Sequence, residues 1–139
     1  MKALVMKESL QAGLSRTDRY EIDKPRTVNF VGDDCAVYST PSLIYDMEVT
    51  SRNLLLEHLD AGEDSVGTRV EMDHTGATLL GMWVEITATI TEVKGRMVSY
   101  EFSARDALEN VAKGKHTRFI VDTEQTAARL KAKAAKATS

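Results

Sequence analysis

Residues 39–62 read STPSLIYDMEVTSRNLLLEHLDAG, and residues 66–74, a few positions on, read VGTRVEMDH. In the first stretch Leu43, Ile44, Met47, Ser51, Leu54, Leu55 and His58 recur at the three-and-four spacing that places side chains on one face of an α-helix. Thr40 is a good cap for such a helix, and Pro41 suits its first position, where a missing N–H has no intrahelical partner to lose. A residue before proline is held out of the helical region, which agrees with a start here. Gly62 supplies a left-handed stop after Ala61. The spacing predicts one helix of about 20 residues, roughly 30 Å long. In the second stretch the period falls to two. Val66, Thr68, Val70, Met72 and His74 share one face of a strand, with Gly67, Arg69, Glu71 and Asp73 on the other.

The same alternation continues downstream. Over residues 82–93, Met82, Val84, Ile86, Ala88 and Ile90 oppose Glu85, Thr87, Thr89 and Thr91, and Lys94-Gly95 then offers a hairpin turn. Over residues 96–105, Val98, Tyr100, Phe102 and Ala104 oppose Ser99, Glu101, Ser103 and Arg105, and a last strand covers residues 111–122. Upstream, SRTDRYEID (residues 15–23) is compatible with a strand that Lys24-Pro25 ends, and a short strand around residues 27–31 is broken by Gly32-Asp33-Asp34. One long helix followed by an antiparallel meander with a single apolar face implies that the sheet wraps the helix, since each needs the other's apolar surface. The expected class is α+β. No repeat or linker divides the chain, so residues 1–139 are read as one domain, with a lead segment (1–14) and an Ala- and Lys-rich tail (123–139) that forms a short, fraying helix.

Composition narrows the function. The chain has 139 residues, 42% of them apolar, and a formal net charge of −3, so no global pull toward nucleic acid or an anionic membrane is expected. The lone cysteine, Cys35, cannot close an intrachain disulfide, and no Cys/His cluster offers a metal site, which suits a reducing, cytoplasmic setting. No apolar run approaches the roughly 20 residues that span a bilayer. The phosphate-binding Gly loops, the serine-hydrolase elbow and the zinc-protease helix motif are all missing from the sequence.

What remains is a small set of polar side chains in apolar company. His74 stands on the apolar side of its strand at the point where the sequence turns small and polar, where an imidazole would lie at the mouth of the core. Glu48 lies in mid-helix beside Ile44, Met47 and Leu55. His116 and Arg118 share the Ala112, Gly114 and Ile120 side of the last strand, which indicates a polar cleft, a subunit boundary or an edge pair reaching solvent. His58, near the helix end, is read as complementing the helix dipole, Cys35 as a small packed side chain, and the Lys-rich tail as solvated.

These residues resemble the hot-dog-fold acyl-CoA thioesterases, and among them the group containing fluoroacetyl-CoA thioesterase. The likeness runs from about Gly13 to Val121 and is anchored on STPSLIYDME (residues 39–48), EDSVGTRVEMDHTGATLLG (63–81) and GKHTRF (114–119). In that family a threonine before the long helix, a glutamate further along it and a histidine in the next strand form the catalytic set. Thr40, Glu48 and His74 stand at those places. The resemblance further implies a hot-dog fold, a homodimer with sites at the subunit boundary, and substrate-binding roles for Gly67, His116 and Arg118; a tetramer is the alternative assembly. The chain departs from the family in residues 32–39, a short loop without the phenylalanine pair that lids the fluoroacetate-specific pocket, so fluoroacetyl selectivity is not implied.

The expected activity is hydrolysis of a short or medium acyl-CoA by a Thr/Glu/His site, with no metal, no cofactor beyond the coenzyme A of the substrate, no nucleic acid and no membrane. Glu48 would act as nucleophile or as the base that activates water, His74 would shuttle protons, and Thr40 would position. A hot-dog dimer that binds acyl-CoA or another apolar ligand without turning it over is the alternative from a different class, and a hot-dog dehydratase is a second rival with a different His/acid setting. One constraint follows from helix geometry. If Thr40 and Glu48 belong to one straight helix they stand about 12 Å apart along its axis and cannot touch. Either the chain before Pro41 folds back, or the two come from different protomers.

Overall fold

The computed structural model describes residues 7–138, so residues 1–6 of the lead segment and Ser139 of the tail lie outside the described residues. The elements are β1 (Ser15–Glu21), β2 (Thr27–Val28), β3 (Val37–Tyr38), α1 (Thr40–Leu56), β4 (Glu63–His74), β5 (Trp83–Lys94), β6 (Met97–Arg105), β7 (Asn110–Asp122) and α2 (Thr123–Ala137). Five strands form an antiparallel sheet in the order β1-β5-β6-β7-β4, and β2 and β3 form a separate small ribbon.

The buried row of α1 is Leu43, Asp46, Met47, Thr50, Ser51, Leu54 and Leu55. This face packs across β1, β4 and β5. Below its first half lie Val84, Ile86, Phe102 and Val111; below its second half lie Ile90, Val98, Tyr100 and Ile120. Burying a side chain such as Leu43 or Leu54 is worth about 1.5–3 kcal/mol each, which makes the helix and the concave sheet mutually dependent. The predicted inward sets of β5 and β6 are the buried ones.

Five expectations are corrected. The helix cap is Ser39, not Thr40: its hydroxyl accepts from the Ser42 N–H, and Thr40 is the first helical residue. The helix ends at Leu56, not at Ala61, and Gly62, with φ at 86°, serves the tight turn into β4 instead. Ile44 lies at the margin of the buried face, and the second early strand is only the two residues of β2. The tail is a helix of 15 residues, capped by the Asp122 carboxylate on the Gln125 N–H, with none of its side chains buried.

The most consequential correction lies in β4. Its pairing with β7 skips Thr68, a β-bulge between Gly67 and Arg69. Before the bulge Glu63 and Ser65 face the core, and after it Val70, Met72 and His74 do. Val66 is therefore 43% exposed and Thr68 points away from the core, while Gly67 turns toward α1, the reverse of the uniform alternation. One inserted residue changes the phase of everything before it.

Candidate active site

Two polar groups emerge along α1, one at its N-terminus and one at its middle. The first gathers at the helix N-terminus. Because Ser39 takes the capping role, the Thr40 hydroxyl is free to bond elsewhere, and it lies 2.8 Å from Nδ1 of His74 at the end of β4. His74 is half-buried, with its ring edge-on to Tyr38 at 6.5 Å between centroids. Its Nε2 is buried and has no hydrogen-bond partner among the described residues. Burial pushes the imidazole below its ordinary value against a smaller upward pull from the Gly76 backbone, so the ring is neutral at pH 7. Thr40, Pro41 and His74, with Tyr38, Val37, Val28 and Phe30, border an open, mostly apolar pocket of about 460 Å³. This is the size of cavity that accommodates a small acyl group and part of its carrier.

The second group lies two helical turns further along. Glu48, 39% exposed at its side chain, receives Arg118 Nη1 at 3.3 Å. Arg118 is buried in β7 and fully engaged: Nε donates to the Ser65 hydroxyl at 2.7 Å, Nη2 to the Ser65 carbonyl at 3.0 Å, and Nη1 also to His116 Nε2 at 3.1 Å. His116 stacks on Tyr100 with 5.8 Å between centroids, and its Nδ1 lies 2.7 Å from the Arg69 carbonyl. Gly67 faces this cluster. A Cβ there would stand 3.2 Å from Glu48 Oε2 and from His116 Cε1, so glycine keeps open the space over the carboxylate.

Of the residues singled out from sequence, Thr40 and His74 are in contact, and Glu48, Gly67, His116 and Arg118 form a second cluster. The two groups are not joined within the chain. Thr40 and Glu48 lie on one helix, so the chain does not fold back before Pro41, and their separation along the axis is about 12 Å. Among the described residues, β4 pairs on one side only, and Gly67, beside Glu48, lies on this free-edged strand.

His58 bonds Ser9 on the surface, and Cys35 is exposed rather than packed. Among the described residues no group of three or more His, Cys, Asp or Glu could hold a metal, and no helix is long and apolar enough to cross a membrane. The sequence reading missed Asp46. It sits 1% exposed in the middle of α1, accepting from Arg26 Nε at 2.8 Å and from the Tyr38 hydroxyl at 2.6 Å. A polar residue at a helical core position was the available signal.

Comparison with known proteins gives the same direction. The model of a family described as FlK, fluoroacetyl-CoA-specific thioesterase, matches residues 22–124. A fluoroacetyl-CoA thioesterase from Streptantibioticus cattleyicolor is 27% identical over 135 residues, covering 92% of this chain and 97% of that protein. The crystal structure of a mutant of the fluoroacetyl-CoA-specific thioesterase superposes with a TM-score of 0.84 at 27% identity, covering 91% of this chain and 99% of that one. The same mutant is also solved in complex with fluoroacetate and CoA. A hot-dog-like protein from Thermanaerovibrio acidaminovorans superposes at 0.79 with 26% identity, covering 88% and 91%.

Proposed function

The chain belongs to the fluoroacetyl-CoA-specific thioesterase family, with its hot-dog fold, and is a thioester hydrolase; from that premise we propose that it cleaves a short or medium acyl-CoA at a site shared by two copies of the chain. Thr40 and His74 come from one copy and Glu48, Gly67, His116 and Arg118 from the other. The supporting observation is the division of these residues into two hydrogen-bonded groups about 12 Å apart on one helix. A homodimer formed along the free edge of β4 resolves this separation, because that strand carries Gly67 beside Glu48 and ends at His74. Membership in a family of hydrolases favours turnover over mere ligand retention.

In this reading the acyl group enters the pocket beside Thr40 and His74. The Glu48 carboxylate, held by Arg118, supplies the attacking oxygen, directly or through a water whose proton it takes. The carbonyl carbon gains that oxygen, the C–S bond breaks, and the leaving thiolate takes up a proton; where Glu48 attacks directly, a water then hydrolyses the Glu48–acyl anhydride and restores the carboxylate. Neutral His74, with an unpartnered Nε2, is the group that relays protons, and the Thr40 hydroxyl fixes the ring through Nδ1. The space over Gly67 admits the thioester carbonyl to the cluster. No metal or cofactor takes part beyond the coenzyme A of the substrate, and no nucleic acid or membrane is a partner.

Free-thiol release from acetyl-, fluoroacetyl-, butyryl- and octanoyl-CoA tests the activity. Thr40→Ala and Glu48→Ala are each expected to lose turnover by 100-fold or more, on the order of a lost catalytic group. Mixing the two variants after dissociation then provides the test of sharing. Half of the reassembled dimers are mixed and each has one complete site, so about a quarter of the wild-type rate should return. No recovery from a mixture shown to contain mixed dimers would place all three residues in one chain.

A further inference from the structure

We propose that Tyr38, clamped by buried Asp46 and Arg26, is a positioning residue that holds the Thr40–His74 pair in register for the reaction. The inference rests on the assignment of that pair to the site. Asp46 occupies a position in the buried row of α1, between Leu43 and Met47 and Thr50, where an apolar side chain would serve packing as well. A carboxylate there is costly unless every oxygen is satisfied. Here it is satisfied on one side of the active-site pocket: Oδ2 receives Arg26 Nε at 2.8 Å and the Tyr38 hydroxyl at 2.6 Å, and Oδ1 receives Arg26 Nη2 at 3.2 Å. Burial and the Asp46 carboxylate push the Tyr38 phenol far above its ordinary range, so it donates at every working pH.

The network is tied to both members of the pair. The Tyr38 N–H donates to the Thr78 carbonyl at 2.7 Å, and the Ser39 N–H donates to the Arg26 carbonyl at 2.9 Å, so the segment that delivers Thr40 is pinned on two sides. The Tyr38 ring meets the His74 ring edge-on at 75° and borders the pocket, while its hydroxyl points away into Asp46. Asp46 itself is buried and does not line the pocket beside Thr40 and His74. Misplacement of reacting groups by about 1 Å costs a rate factor on the order of 100, so a clamp of this kind acts on turnover rather than on binding.

Tyr38→Phe removes only the clamped hydroxyl and leaves the pocket wall in place. With the acyl-CoA that wild type turns over fastest, kcat is expected to fall about tenfold with KM within about twofold, and the loss should vanish in the Thr40→Ala background, where the pair is already broken. Asp46→Asn should give the same split and the same non-additivity, and urea unfolding of each variant checks that the fold is retained. An unchanged kcat, a change confined to KM, or losses that multiply with Thr40→Ala would overturn the proposal. Loss of cooperative unfolding in both variants would do the same by assigning the network to stability. If Thr40→Ala itself retains full turnover the site assignment fails, whereas an inactive Thr40→Ala beside a fully active Tyr38→Phe defeats the clamp alone.

Discussion

The Arg69 carbonyl can only accept, so the 2.7 Å contact with His116 fixes the proton on Nδ1 and leaves Nε2 to accept from Arg118. The folded state thus holds a neutral ring. Burial pushes His116 below its ordinary value, the Arg69 carbonyl works against this, and Arg118 adds to the downward push; burial is also the chief cause at His74. A histidine depressed in the folded state binds fewer protons there than in the unfolded chain as the pH falls below about 6.5, so its stabilising contribution is lost on acidification. The urea midpoint of the wild type should therefore drop between pH 7.5 and pH 5.5, and drop less in His116→Gln. Identical pH dependence in the two proteins would mean that His116 titrates alike folded and unfolded. Gly67 makes a second prediction. In Gly67→Ala the far ends of Glu48, His116 and Arg118 must give way by a few tenths of an ångström, so kcat/KM should fall about tenfold while stability changes by less than about 1 kcal/mol. Steady-state kinetics beside urea unfolding separates the two effects.

Among the elements, α1 and the inward faces of β5 and β6 were legible because the helix and β6 keep one period and β5 keeps it as far as Ile90. The helix start was legible only to within a residue. Ser39 and Thr40 are both residue types that cap helices, and the choice depends on β3 delivering Ser39 in extended conformation with its hydroxyl on the Ser42 N–H. Ser39→Ala should accordingly cost about 1 kcal/mol of unfolding free energy, and Thr40→Ala much less. The reverse order would restore Thr40 as the cap. In β4 the run Val66, Thr68, Val70 imitates unbroken alternation, and the bulge that divides it is set by pairing with β7, which no local pattern contains. The Asp46 network is not local either, since its donors Tyr38 and Arg26 reach it from outside the helix. Where β4 meets β7 the strands also approach closely at Gly114, where a Cβ would collide with the Glu71 carbonyl oxygen and the Phe102 ring. Gly114→Ala should destabilise by more than about 3 kcal/mol, read from the urea midpoint, and a near-neutral result would show that the sheet can open there at little cost.

For the molecule as a whole, the distance along α1 between Thr40 and Glu48 was legible from the helix rise alone, but which strand edge lies free beside Glu48 was not, because strand order is a property of the complete sheet. A site completed by a second copy makes activity depend on assembly. Specific activity should fall on dilution in step with dimer dissociation followed by sedimentation, and a rate per chain that stays constant while dimers dissociate would contradict a shared site. The bulge at Thr68 bears on the same free edge. The two halves of β4 are out of phase, so the backbone N–H and C=O groups directed outward along the edge change phase there as well. An incoming strand can keep unbroken hydrogen bonding with one half but not with both. The edge is thereby self-limiting as a template, admitting one short, defined pairing and discouraging the addition of further chains. Deleting Thr68 would bring both halves into a common frame without turning an inward side chain outward, and the resulting uninterrupted edge should reveal itself as concentration-dependent light scattering from a protein whose core is unchanged.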